Sequence, residues 1–377
     1  MSRDVGIAIL GTGFARRVQI PAFVKAGGRI VSVASASIEN AKATAEECGA
    51  GFFTDDWRQA IDRDGVDLIC ITTTPIFHKE MALYSLQRGK NVLCEKPMAM
   101  DLREAEEMRS AADSSSVLSL IDHELRFQPG RLLAKKLIQA GHIGDIRHVR
   151  SVFQAPHRGD AELPWNWWYD ETQGGGALGA IGSHIFDSLQ WFLETDVVDI
   201  TCRLSAHIKE RKDSNGILQP VTSDDECNAL LNLRDGTVTR DTTALVAVSM
   251  TQSPEYVNRM EFFGTKGSLR VEHRGEVFYA GECDEAWQPI DVDLGESFPG
   301  VPDTGFARAF ATFAPIILDA VRNGNTIPNA ATFADGFQVQ KVIDAARRSA
   351  AEGSIISLAG PLAVLHGSEA ESNHVPG

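Results

Sequence analysis

An α/β domain on a doubly wound parallel sheet, followed by an α+β domain with a large, mostly antiparallel sheet, is the fold this sequence predicts. Three observations predict it. Short apolar runs alternate with helix-period segments through the first third of the chain. A Gly11-Thr12-Gly13 turn joins the first run to the first helix. Further on, consecutive strands are joined by short turns, which is antiparallel chemistry.

Val5 to Leu10 is apolar throughout and reads as a buried strand. The glycines after it let the backbone turn sharply and approach a pyrophosphate. The helix from Phe14 through Gln19 then offers unpaired N–H groups to negative charge, with Pro21 expected to kink or shift its axis. Arg16 stands where the third glycine of G-x-G-x-x-G is usual. A purely structural strand–helix turn is the alternative. Ile30 to Ser35 is the second strand, Glu39 to Cys48 a helix, Asp67 to Thr72 a strand, His78 to Arg88 a helix and Asn91 to Cys94 a strand. Asp101-Leu102-Arg103-Glu104 is an N-cap signature for a helix running to Ala112, and Val117 to Ile121 closes the series. Ligands of such sheets sit at the strand carboxyl ends, which here carry Gly11, Ser35, Thr73-Thr74-Pro75, Glu95-Lys96-Pro97 and Asp122-His123.

After a helix from Gly130 to Gln139 come six strands: Ile146 to Phe153, Val197 to Lys209, Asn228 to Arg234, Thr237 to Ser249, Asn258 to Phe263 and Ser268 to Glu272. Two helices, Gly305 to Asn323 and Phe333 to Glu352, complete the second domain. The expected division is residues 1–124, 125–366 and a frayed tail, 367–377. A formal net charge of −15 over 377 residues argues against a nucleic-acid or anionic-membrane surface. Six scattered cysteines without a CxxC pair or metal-type cluster predict reduced thiols, no metal site and a cytoplasmic setting. The first strand begins too early for a signal peptide, and no apolar run is long enough to span a bilayer.

Two stretches carry the chemistry. Glu95-Lys96-Pro97 ends an apolar strand with a lysine held beside a carboxylate and a stiff ring, which suits proton transfer better than packing. A solvated ion pair before a turn is the alternative. The run from Gly174 to Gly182 has five glycines, implying close backbone approach to a ligand or another segment. His184, Asp187, Ser188 and Trp191 then share a helix face, with His184 a candidate proton carrier or a structural histidine. Trp165-Asn166-Trp167-Trp168 reads as a stacking surface for a sugar or as core.

Taken together, the G-x-G turn, Thr73 to His78, Glu95-Lys96-Pro97, the glycine-rich run to His184 and Asp187, and Phe263-Gly264-Thr265-Lys266-Gly267 resemble the glucose–fructose oxidoreductase, inositol dehydrogenase and rhizopine-catabolism (Gfo/Idh/MocA) family. The resemblance implies a Rossmann domain holding NAD(P) through Gly11, Thr12, Gly13, Phe14, Ala15, Arg16, Ser35, Thr73, Thr74, Pro75, His78, Glu95, Lys96 and Pro97. It implies hydride exchange with a secondary hydroxyl or ketone of a sugar, cyclitol or related polyol, with Lys96 and His184 catalytic. Arg126, Trp168, His184 and Asp187 are the expected substrate contacts, and the second sheet is the expected homodimer or homotetramer surface. One departure is Ala180, where the family commonly has an aspartate four residues before the histidine. The second strand ends in Ala34-Ser35-Ala36-Ser37 without an acid, which leans toward NADP, with Arg16 as a phosphate partner. A redox-neutral glycosidase or lyase using tightly bound NAD, and a non-catalytic dinucleotide-binding regulator, are the alternatives.

Overall fold

The computed structural model describes residues 4–358. Its first sheet has six parallel strands: β1 (Gly6–Leu10), β2 (Arg29–Ala34), β3 (Phe52–Thr54), β4 (Leu68–Ile71), β5 (Asn91–Cys94) and β6 (Ser119–Ile121). Their order is β3-β2-β1-β4-β5-β6, so the winding reverses between β1 and β4 and a crevice opens there. Every residue of β1 and β4 is buried, which is why both read as unbroken apolar runs. Helices α1 (Ile20–Lys25), α2 (Ile38–Cys48), α3 (Trp57–Ile61), α4 (His78–Gln87) and α5 (Leu102–Asp113) connect the strands. Asp101 caps α5 by accepting the Glu104 N–H at 2.7 Å.

Two local expectations change. Strand β3 and helix α3, three and five residues long, are too short for periodicity to reveal. Pro21 breaks nothing: Ala15–Gln19 forms a widened π-turn, and Pro21 falls in the first turn of α1, where a missing N–H is harmless.

Beyond α6 (Pro129–Gln139) lie β7 (Ile146–Gln154), α7 (Ser183–Leu193), β8 (Val197–Ser205), a small hairpin of β9 (Glu210–Lys212) and β10 (Leu218–Pro220), and β11 (Glu226–Leu233). Then follow β12 (Thr239–Ser249), β13 (Val257–Gly264), β14 (Gly267–Val271), β15 (Val277–Gly281), β16 (Gln288–Ile290), α8 (Gly305–Asn323), α9 (Phe333–Glu352) and β17 (Ile356–Ser357). Nine of these strands form one sheet in the order β16-β15-β14-β13-β7-β12-β11-β8-β17. Each neighbouring pair is antiparallel except β12 with β7. Burial alternates along β11, so one face packs on α7 and α9 while the other is open. The strand expected over Val197 to Lys209 ends at Ser205, where the chain leaves for the β9–β10 hairpin.

The division at residue 124 falls between the sheets, and α8 crosses back over it. Its Phe310, Phe313 and Ile317 share a core with Ile7 and Phe23, and Phe313 stacks on Phe127 with ring centroids 4.0 Å apart. Helix α9 is tied to the first sheet through the Ile121 N–H, which donates to Ala331 at 2.8 Å. The expected frayed tail, 367–377, lies outside the described residues. Cys70, Cys94, Cys202 and Cys227 are buried free thiols, and no helix among the described residues is long and apolar enough to cross a membrane.

Candidate active site

At the crevice, Gly11 has φ +95°, and a Cβ there would stand 2.6 Å from the Thr72 carbonyl oxygen, so the turn after β1, packed against the end of β4, requires glycine. Gly13 is different, since a Cβ on it would meet nothing within 4 Å. It leaves a bare approach to the start of the helical turn, whose N-cap residue, Phe14, makes no side-chain capping bond. Thr12, Phe14, Ser35, Thr73, Thr74 and Lys96 are partly exposed around this groove, while Ala15 is buried beneath it. The uncapped N–H groups and the space above Gly13 fit a dinucleotide's pyrophosphate.

Three residues expected at the cofactor make contacts within the protein. His78 is a buried latch, its Nδ1 3.0 Å from the Pro97 carbonyl oxygen and its Nε2 3.1 Å from that of Thr73. Burial pushes its pKa down to about 4. Pro75 is buried against the glycine-rich run: a Cβ on Gly174 would stand 2.5 Å from the Pro75 Cβ. Arg16 is paired with Glu47 across α2. Just past the end of β2, the Ser37 hydroxyl donates to the Glu39 carboxylate at 2.9 Å, so this hydroxyl is already paired with an acid. The lean toward NADP therefore finds no support.

The glycine-rich run makes its close approaches to protein. A Cβ would come 2.2 Å from the Trp168 carbonyl oxygen at Gly175, 2.4 Å from Asp224 Oδ1 at Gly176 and 3.3 Å from Pro97 Cγ at Gly179. This lets the π-turn Leu178–Gly182, which leads into α7, lie on the Lys96-Pro97 loop. Lys96 Nζ donates to the Ala180 carbonyl oxygen at 3.4 Å and stands 3.9 Å from Glu95 Oε2. Position 180 thus meets the lysine through its backbone.

His184 is 4% exposed, and neither ring nitrogen has a hydrogen-bond partner. Its ring centroid is 5.4 Å from that of His123 and 5.2 Å from that of Phe306. Burial, then the charge of Lys96, push its pKa well below the ordinary imidazole range. The fold brings residues 96 and 184, distant in sequence, into one electrostatic neighbourhood.

Behind Lys96 lies a buried acidic cluster of Glu95, Asp122 and Glu124. Gln19 Nε2 bridges two of them, donating to Glu95 Oε1 at 3.2 Å and to Asp122 Oδ2 at 2.7 Å. Asp122 Oδ1, Glu124 Oε2 and Gln19 Oε1 have no partner. Burial and mutual repulsion raise the pKa of Asp122 and, to about 8, of Glu124; burial alone raises that of Glu95, against the pull of Lys96. Folded Glu124 therefore holds a proton that the unfolded chain releases, and stability falls as pH rises from about 4.5 toward 8. His123, pushed down to about 4 by burial, acts oppositely: stability falls as pH drops from 6.5 toward 4. Glu124→Gln is expected to raise Tm by several degrees at pH 8 and by little at pH 5, since keeping that proton costs about 1.4 kcal/mol for every step of one in pH above the ordinary carboxyl range. Thermal melts at the two pH values check this; equal gains at both reject it.

The expected substrate contacts divide. Arg126 is committed to carboxylates, with Nη2 2.6 Å from Asp187 Oδ1 and 3.1 Å from Asp335 Oδ1, and Nε 3.0 Å from Asp187 Oδ2. Asp187 and Arg126 are thus paired with one another, and Asp335 extends the pair from α7 to α9. Trp168 is 5% exposed in the core of the second sheet, with the Arg158 guanidinium 4.3 Å over its ring, and is no stacking platform. A cavity of about 280 Å³ opens at Arg126, Asp187, Trp191 and Arg234, and neither Lys96 nor His184 lines it. The sequence pattern did not single out Gln19, Glu124 or Arg131. The available signal was Asp122-His123-Glu124, three titratable residues at the end of a buried strand.

Comparison with known proteins gives the same architecture. Residues 5–123 match an oxidoreductase family with an NAD-binding Rossmann fold, and residues 132–270 match the GFO/IDH/MocA C-terminal domain. An uncharacterised oxidoreductase of Synechocystis is 30% identical over 271 residues, 71% of each chain. Levoglucosan dehydrogenase of Pseudarthrobacter phenanthrenivorans is 27% identical over 355 residues, 86% of this chain and 88% of that one. A levoglucosan dehydrogenase structure in complex with NADH and L-sorbose superposes with a TM-score of 0.85 at 25% identity, covering 94% of this chain and 98% of the other.

Proposed function

Because the chain belongs to the Gfo/Idh/MocA family of NAD-binding oxidoreductases, we propose that it is an NAD(H)-dependent dehydrogenase or reductase acting on a secondary hydroxyl or ketone of a sugar, cyclitol or related polyol. The observation that carries this reading is the meeting of Lys96 with the π-turn before α7, which brings the amine close enough for its charge to act on the unpartnered His184 imidazole. NAD(H) would lie over Gly11, Thr12 and Gly13 and supply the hydride acceptor or donor. The levoglucosan dehydrogenase relative, with its NADH complex, supports the cofactor and the sugar class.

Lys96 moves the proton of the reacting hydroxyl, and His184 hydrogen-bonds its oxygen through a ring nitrogen that no protein group occupies. With alanine at 180, the carboxyl partner of Lys96 comes from the other side. Glu95, 3.9 Å from the amine and joined through Gln19 to Asp122, holds or receives the proton. Three buried carboxyls facing one lysine cannot all be ionised, so the cluster keeps a proton in reserve.

The deciding experiment incubates the protein with NAD⁺ and a panel of sugars, inositols and sugar acids, following nicotinamide absorbance and product together. Stoichiometric reduction establishes the dehydrogenase. Product without net reduction establishes a redox-neutral enzyme instead, and tight NADH binding without turnover on any member favours a regulator. Gly13→Ala separates the cofactor site from the fold: Tm is expected to stay within about a degree, because the added methyl meets no protein atom, while NADH affinity falls about tenfold or more. Fluorescence titration with NADH reads this, and unchanged affinity removes the pyrophosphate from Gly13.

A further inference from the structure

Two arginines lie buried beside the cleft, held in opposite ways. Arg126 is neutralised by Asp187 and Asp335. Arg131, 3% exposed, is held by neutral acceptors: its Nε donates to Gln128 Oε1 at 3.0 Å and its Nη1 to Ser188 Oγ at 2.9 Å. Gln128 is itself fixed, donating to the carbonyl oxygens of His273 and Gly305, both at 3.1 Å. The Ser188 hydroxyl donates to the His184 carbonyl oxygen at 2.6 Å. Among the described residues, Nη2 has no hydrogen-bond partner, and no carboxylate oxygen lies within 4.0 Å of the guanidinium.

This is a cation fixed in place with its charge left over. Burial lowers its pKa to about 10, so it stays charged at neutral pH. Asp187 and Glu124 act on it only from a distance, and a buried charge with no counter-ion in contact is unfavourable unless something else compensates it. Arg131 and His184 line the same small cavity, with Ser151, Ser188, Asn258 and Phe306. It holds about 10 Å³, the room of a single water, so a ligand group enters here only by displacing the side chains that close it.

Resting on the dehydrogenase reading, we propose that the substrate carries a carboxylate: the site takes a sugar acid, of uronate or aldonate class, with its carboxylate on Arg131 and its reacting carbon at Lys96 and His184. The guanidinium edge formed by Nη2 and the second N–H of Nη1 matches two carboxylate oxygens, which an ammonium would not. Ser151 and Asn258 supply polar groups on the cavity wall. In a chain of net charge −15, such a cation makes an otherwise anion-repelling protein locally receptive to an anion.

The test measures binding to the full-length protein saturated with NADH, in matched pairs: D-glucuronate against D-glucose, D-galacturonate against D-galactose, D-gluconate against D-glucitol. In at least one pair the acid should bind about tenfold tighter or more, and Arg131→Gln should bring that ratio to within about twofold. Arg131→Lys, which keeps the charge and loses the fork, should leave an intermediate ratio and serves where the glutamine variant does not fold. Neutral members binding as tightly throughout, no acid binding at all, or a ratio unmoved by either substitution overturns the proposal. A purely structural Arg131 would lower Tm on substitution and leave the ratio untouched. Binding to the NADH form needs no turnover, so acids that bind but never reduce NAD⁺ count against the dehydrogenase and not against the carboxylate.

Discussion

Lys96→Met is expected to lower turnover by about 10²–10⁴-fold, the range one positioned proton-transfer group supplies, while NADH binds as before. The side chain is 21% exposed, so a methionine of similar length sits there without a buried polar vacancy. What disappears is the amine that joins the Glu95-Lys96-Pro97 loop to the π-turn before α7. Two readouts separate chemistry from binding. NADH titration reports the groove over Gly13, and single-turnover hydride transfer reports the proton step. Undiminished hydride transfer would reject Lys96 as the proton carrier. A matched loss of NADH affinity would instead make it a cofactor-holding group.

The second large effect is on stability. Asp187→Asn leaves the buried Arg126 with one counter-ion, Asp335, whose side chain is 38% exposed. Burial opposes the Arg126 charge, and Asp187 and Asp335 together outweigh it. Removing the buried member of that set is expected to cost about 3–5 kcal/mol and lower Tm by about four to six degrees. Asp335→Asn, at the exposed end, should cost much less. A double replacement, Arg126→Met with Asp187→Leu, should recover much of the loss, because it removes the uncompensated charge along with the pair. Thermal and denaturant melts of the set decide the matter, and an Asp187→Asn protein that melts like the parent would show that the pair does not hold α7 in place.

The parallel sheet was legible because burial on both faces writes β1 and β4 as unbroken apolar runs. Helices α8 and α9 were legible to the residue: Thr304 and Thr332 cap their starts, and Gly324 and Gly353 end them in the left-handed conformation. Strands β3, β9 and β16, three residues each, carry too few positions for a period to emerge. Where α8 packs was equally hidden, since an apolar stripe announces that a helix is covered and not by which sheet.

For the site, local sequence determined the loops and only tertiary structure decided the partners. Gly11-Thr12-Gly13 and Glu95-Lys96-Pro97 follow from turn chemistry within a few residues. That Arg126 and Asp187 cancel one another, that Trp168 lies in the core, that His78 fastens two loops, and that Gln19 joins two acids 27 residues apart all depend on contacts across the chain. Charge and hydrogen-bonding capacity are properties of a residue, but whether they remain available to a ligand depends on which neighbours have already used them. Arg126 and Arg131 are alike in sequence, and the fold alone satisfies one and leaves the other open.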